Sequence, residues 1–163
     1  VVYDFKNWKK LIWLISLFTI GHTLSLTLAS YKIVSVDTKW VEFLIPVTII
    51  ITAVVNILYV KNTTKQLKTN TNLVFALFFG LIHGLGFSGY FKMIIGTSES
   101  KFLPLLEFAF GVEIAQIIVV LIILILGFIF QTLFRFSKRD YVLIISSIVI
   151  GIVLPILKET IFW

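Results

Sequence analysis

Phe79-Gly80-Leu81-Ile82-His83-Gly84-Leu85-Gly86-Phe87-Ser88 is an apolar stretch with one histidine at its centre and small residues spaced around it. Gly80, Gly84 and Ser88 fall at i, i+4 and i+8, so on a helix they form one smooth ridge. In lipid such a ridge lets a second helix approach closely. His83 lies beside the ridge, which directs it into a helix–helix seam and away from acyl chains. An ionisable side chain at the centre of the hydrocarbon costs about 2.5–3.5 kcal/mol on insertion scales. The stretch therefore reads as the middle of a transmembrane helix that carries part of a buried polar site.

Composition agrees. Of 163 residues, 59% are hydrophobic and 13% charged, against about 25% charged in a soluble domain; the mean hydropathy is +1.06. Most of the chain must sit in a bilayer as one helical unit. There is no cysteine, which excludes a disulfide framework and a thiolate metal site. A metal would have to be held by imidazole, carboxylate and amide groups. The net charge of +6 lies in short connectors, where it reports membrane orientation and not a nucleic-acid partner.

About 20 apolar residues cross a bilayer, and five runs qualify: residues 11–30, 40–60, 73–95, 104–130 and 141–157. The expected fold is all-α, a polytopic transmembrane bundle forming a single domain over 1–163. Thr19, His22, Thr23 and Ser25 interrupt the first run too often for a signal peptide. Leu17, Ile20, Leu24 and Leu28 give it a lipid face that His22 avoids. Trp40 and Tyr59 mark the interfacial ends of the second span. Pro46 removes one backbone donor there and predicts a kink. Residues 61–72 are polar, basic and without apolar period, and read as a loop. Pro104 suits the first turn of the fourth span, which is long enough to tilt.

Five spans place the two ends on opposite sides. With the N-terminus cytoplasmic, Lys6, Lys9, Lys10, Lys61, Lys65, Lys68, Arg135, Lys138 and Arg139 lie inside. Lys32, Lys39, Lys92, Lys101 and Lys158 lie outside. Nine against five favours this orientation. The acids sort as well: Asp37, Glu42, Glu99, Glu107 and Glu159 are at or near the outer face, and only Asp4 and Asp140 are inner.

The same topology puts His22, His83 and the Glu113/Gln116 pair near mid-membrane on three different spans. Each residue has an ordinary reading, since intramembrane His, Gln and Glu bond across helices for about 0.6–2 kcal/mol. A buried carboxylate, however, needs a cation or a proton, and the shared depth suggests convergence on one cavity. His22 and His83 are then expected as neutral imidazole ligands, Glu113 as the source of charge and Gln116 as a secondary ligand. Glu42, Asn56 and Glu107 are secondary or line the outer mouth. Two imidazoles and a carboxylate suit Ni²⁺, Co²⁺ or Zn²⁺, and the donor set does not choose among them.

Two other classes compete. A non-transporting structural or assembly subunit would use the same polar groups only to fix helix register. Gly86-Phe87-Ser88-Gly89 resembles the serine motif of rhomboid intramembrane proteases, but both histidines precede Ser88 and no later apolar span offers a base. There is no Gly-x-x-x-x-Gly-Lys-Ser/Thr phosphate loop. The expectation is a binding or transport protein and not an enzyme.

Three motifs together resemble one family. Phe18-Thr19-Ile20-Gly21-His22-Thr23-Leu24-Ser25-Leu26, the stretch from Phe79 to Ser88, and Gly111-Val112-Glu113-Ile114-Ala115-Gln116 are similar to the hydrogenase/urease accessory membrane proteins of the HupE/UreJ family. Val41-Glu42 and Asn56 fall in register between the first two, and the likeness covers about residues 5–130. The resemblance implies a multi-pass protein of the bacterial inner membrane that acts as a nickel or cobalt permease or in metal supply. Its implied partners are the lipid bilayer, the metal ion, and a metalloenzyme maturation system or other membrane subunits. Relatives often carry Asn at the position of Ala109, Gly at that of Ala115, and an acid at that of Val55, which implies a reduced or altered ligand set here. The family usually begins with a helix bearing an Asp-His pair. With Val1 in place of a methionine, that implies a sixth span ahead of this sequence.

Overall fold

The computed structural model of the chain describes residues 8–60, 69–96 and 100–161. Lys6, Lys61, Lys65, Lys68, Asp4 and Glu99, which enter the charge argument above, lie outside the described residues. Among the described residues the chain forms five helices and no strand: α1 (Trp8–Ser30), α2 (Thr38–Tyr59), α3 (Thr69–Ile95), α4 (Phe102–Thr132) and α5 (Lys138–Thr160). All five are long and apolar enough to cross a membrane, so this is a multi-pass membrane protein.

Each expected span is present, and most run further than the apolar residues do. Capping explains part of this. Asp37 accepts a hydrogen bond from Lys39 N at 3.0 Å and opens α2. Ser137 accepts from Asp140 N at 3.1 Å and opens α5. These caps satisfy donors that the first turn leaves free. The α3 helix starts at Thr69, so the end of the expected loop 61–72 is helical. Pro104 sits in the first turn of α4, where its missing N–H has no helical partner to lose. The α2 helix continues through Pro46.

The α1–α3 pair is the centre of the bundle, and the glycine ridge makes it so. Here the absence of a side chain is required. A Cβ on Gly80 would overlap the Phe18 carbonyl, one on Gly84 the His22 carbonyl and Ser25 Oγ, and one on Gly21 the Leu77 carbonyl. The two backbones touch reciprocally at Gly21 on one side and at Gly80 and Gly84 on the other. Around this pair, α4 packs on α1, α2 packs on α3, and α5 packs on α2 and more lightly on α4.

Leu26, Phe91 and Leu105 form a buried cluster, flanked by Ile95 and Phe108, where α1 and α3 end and α4 begins. At the other end of α4, Tyr141 lies against Gly127 and its hydroxyl donates to the Ile123 carbonyl at 2.7 Å. Ile20 and Leu24 are exposed, as expected for a lipid face.

Lys101 closes the end of α1. Its Nζ donates to the Ser30 carbonyl at 2.7 Å and lies 5.3 Å from the centre of the Tyr31 ring. Lys101→Met removes a charge-assisted bond and a cation–π contact, together about 2–4 kcal/mol. The expected result is a lower thermal midpoint in detergent with no change in helix content.

Candidate functional site

The α1–α3 contact is so close that no cavity remains between those two backbones. Polar groups therefore fall on either side of the pair, and the expected shared cavity is divided. Among the described residues no three of His, Cys, Asp and Glu come together at metal-binding range.

On the α4 side, Ser16 Oγ donates to Glu113 Oε1 at 2.9 Å, and Thr19 Oγ1 approaches Gln116 Oε1 at 3.4 Å. Each links α1 to α4 at mid-helix. Thr19 is buried, whereas Glu113 and Gln116 are half-buried. Ser16 is the partner that inspection of the ionisable groups alone passes over.

His22 is 1% exposed. Its ring stacks on Phe18 and Phe108, with centroids 6.2 and 5.7 Å away, and meets the edge of Phe87 at 5.5 Å. Its Nδ1 is buried and has no hydrogen-bond partner. An unsatisfied buried polar atom is uncommon and carries a penalty of about 1–3 kcal/mol. In the tautomer with the proton on Nε2, Nδ1 presents a lone pair, which a Lewis-acidic ligand can relieve.

His83 contacts the same Phe18 ring from α3, with centroids 5.2 Å apart. Its Nδ1 lies 2.8 Å from the Phe79 carbonyl. A carbonyl only accepts, so Nδ1 carries the proton and donates, and in the neutral ring Nε2 keeps its lone pair. A backbone bond that fixes the tautomer in this way is the usual support of a metal-binding imidazole. His83 lines a cavity of about 330 Å³ with Phe18, Thr48, Thr52, Asn56 and Ser146.

The remaining sequence-derived positions separate clearly. Asn56 joins His83 at the cavity, whereas Glu42 and Glu107 are exposed. Gly80 and Gly84 form the ridge surface that meets α1; Ser88, in the next turn, is half-buried. No hydrogen bond joins Ser88 to either histidine among the described residues, and His83 Nδ1 is occupied by Phe79. Thr48 and Ser146 complete the cavity. The i, i+4, i+8 spacing of Thr48, Thr52 and Asn56 is the signal that could have found the α2 wall. Ser146 has no comparable local signal.

Comparison with known proteins gives one family. A family model described as HupE / UreJ protein matches residues 1–158. No curated protein and no solved structure matches the chain.

Proposed function

This chain belongs to the HupE/UreJ family, and from that premise we propose that it carries a divalent, nickel-like transition-metal ion across a bacterial inner membrane or supplies it to a metalloenzyme maturation system. In this reading the N-terminus of the chain is cytoplasmic and the C-terminus outside. His22 and His83 are imidazole ligands, Glu113 brings negative charge from α4, and Gln116 assists it.

The observation that carries the reading is the caged His22 Nδ1, buried and unpartnered. The chemistry of the donor set supports it. Two neutral imidazoles reached through Phe18 suit Ni²⁺, Co²⁺ or Zn²⁺ better than a hard cation. Both rings contact Phe18, while Glu113 bonds to Ser16 on α1; donors that are not gathered into one closed coordination sphere favour stepwise transfer, because transport needs binding weak enough to release. Binding to deprotonated ligands displaces protons, which offers a coupling to the proton gradient.

The test is nickel retention by purified protein in detergent and nickel uptake into proteoliposomes. Wild type is expected to retain and transport the metal. His83→Ala is expected to lower uptake at least about tenfold, the lower range for disturbing a metal ligand's support. Wild-type protein that neither retains nor transports nickel, cobalt or zinc would instead support the register-fixing subunit. The Ser16–Glu113 and Thr19–Gln116 contacts favour that alternative, because they already use the α4 polar pair to align α4 on α1.

A further inference from the structure

The cavity beside His83 is apolar over most of its wall, which Phe18, Ile49, Ala53, Phe79, Ile145 and Val149 supply. Three of its polar side chains are turned to their own helices. Thr48 Oγ1 donates to the Ile45 carbonyl and Thr52 Oγ1 to the Thr48 carbonyl, each at 2.8 Å, and His83 Nδ1 donates to the Phe79 carbonyl. No carboxylate, lysine or arginine lines the space. Such a wall suits hydrocarbon, which makes no demand for hydrogen bonds. The volume of about 330 Å³ is at the lower end of the range for small-ligand pockets.

Depth arranges this cavity as one leaflet is arranged. Phe18 and Thr48 lie halfway along α1 and α2, whereas Asn56 is one turn from the end of α2 and Ile145 about two turns into α5. The cavity therefore runs from the middle of the bilayer towards the face on which α5 begins. Asn56, its polar group nearest that face, stands at the level of a phospholipid's ester groups, and its amide can donate to an ester carbonyl.

Charge continues the series. Among the described residues, the helix ends on that face carry Lys9, Lys10, Arg135, Lys138 and Arg139 against one acid, Asp140, whose carboxylate accepts from Ser137 Oγ at 2.6 Å. The opposite face has five lysines against four acids. Orientation in the membrane needs only an excess of cations on one side. It does not need one in line with the cavity wall, and Arg139 stands there. Arg139, Val142 and Ser146 fall at i, i+3 and i+7 and share one face of α5. Val142 and Ser146 are 1% and 2% exposed, so that face turns into the bundle. Arg139, about 10 Å along the helix from Ser146, is exposed at its end.

We propose that this cavity holds one acyl chain of an anionic phospholipid, with the ester region at Asn56 and the headgroup phosphate on Arg139. A guanidinium meets phosphate oxygens in pairs, which favours arginine for that contact. The tip of the chain reaches Phe18 near the midplane. The inference is independent of the metal reading, because it needs no ion at either histidine.

The experiment titrates the purified full chain in mild detergent with dioleoyl phosphatidylglycerol and, separately, with dioleoyl phosphatidylcholine. Binding is followed by thermal melting and by mass spectrometry of the intact complex. Wild type is expected to retain one phosphatidylglycerol and to melt higher with it than with the choline lipid. Arg139→Gln should weaken phosphatidylglycerol binding about fivefold, the loss of one cationic contact at a membrane surface, and leave the choline lipid unaffected. Val149→Phe should weaken both lipids by filling the cavity. Arg139→Gln, at an exposed position, decides the headgroup contact even if Val149→Phe fails to fold. Glycerol phosphate, a headgroup without chains, is expected to give no shift. Equal affinity for the two lipids, unchanged phosphatidylglycerol binding in Arg139→Gln or in folded Val149→Phe, or a shift from glycerol phosphate equal to that from the lipid would each overturn the site.

Discussion

Gly84→Val is expected to prevent the bundle from assembling, seen as loss of folded protein from detergent extracts. Even the first carbon of a side chain has no room, because it meets the His22 carbonyl and Ser25 Oγ. Backbone does not yield as a flexible side chain does, so overpacking here should exceed the usual 1–3 kcal/mol or so. Gly84→Ala sharpens the argument because two effects oppose. Alanine gains about 1 kcal/mol of helix propensity over glycine. The clash must be larger than that gain for the variant to be destabilised, and a fall in melting midpoint is expected. Gly89, Gly111 and Gly151 have nothing within 4 Å of an added Cβ. Alanine at those sites should leave the midpoint unchanged or raise it. Equal tolerance at Gly84 and Gly151 would mean that α1 and α3 do not touch through this ridge.

His22→Leu is expected to separate function from folding. Leucine approximately fills the histidine volume and removes the buried unpartnered nitrogen, a relief of about 1–3 kcal/mol. It also loses ring stacking on Phe18 and Phe108, worth about 0.5–1.5 kcal/mol per aromatic pair. The two changes nearly cancel, so the melting midpoint should move little. Nickel uptake into proteoliposomes should fall at least about tenfold and up to a hundredfold. If both uptake and stability were unaffected, His22 would be an ordinary packing residue.

Depth in the membrane was legible in the sequence, and azimuth around each helix was legible only in part. Counting residues along five apolar runs locates His22, His83, Glu113 and Gln116 near one level, because each residue advances a helix by a fixed rise. Periodicity also finds the α1 face that His22 avoids and the ridge through Gly80 and Gly84. What counting cannot reach is which neighbour stands opposite a given side chain. His83 meets α2 and α5 residues, whereas Glu113 and Gln116 meet α1. That division follows from the pairing of α2 with α5, a long-range choice that no local pattern encodes. For the same reason Ser146 reads as a mere interruption of an apolar run until Thr48 is seen across the cavity. The start of α3 at Thr69 was hidden differently, in Asn- and Thr-rich sequence that gives no apolar period.

The 31 residues of α4 measure about 46 Å, against a hydrocarbon layer of about 30 Å. One end is held by Leu105 in the buried cluster and the other by Tyr141 at Gly127. The helix therefore tilts with its neighbours and not alone, and any remaining mismatch is met by local thickening of the lipid. Acyl-chain length thus becomes a variable of the protein: vesicles of longer lipids should hold Glu113 in register with Ser16, and short-chain vesicles should pull the two apart.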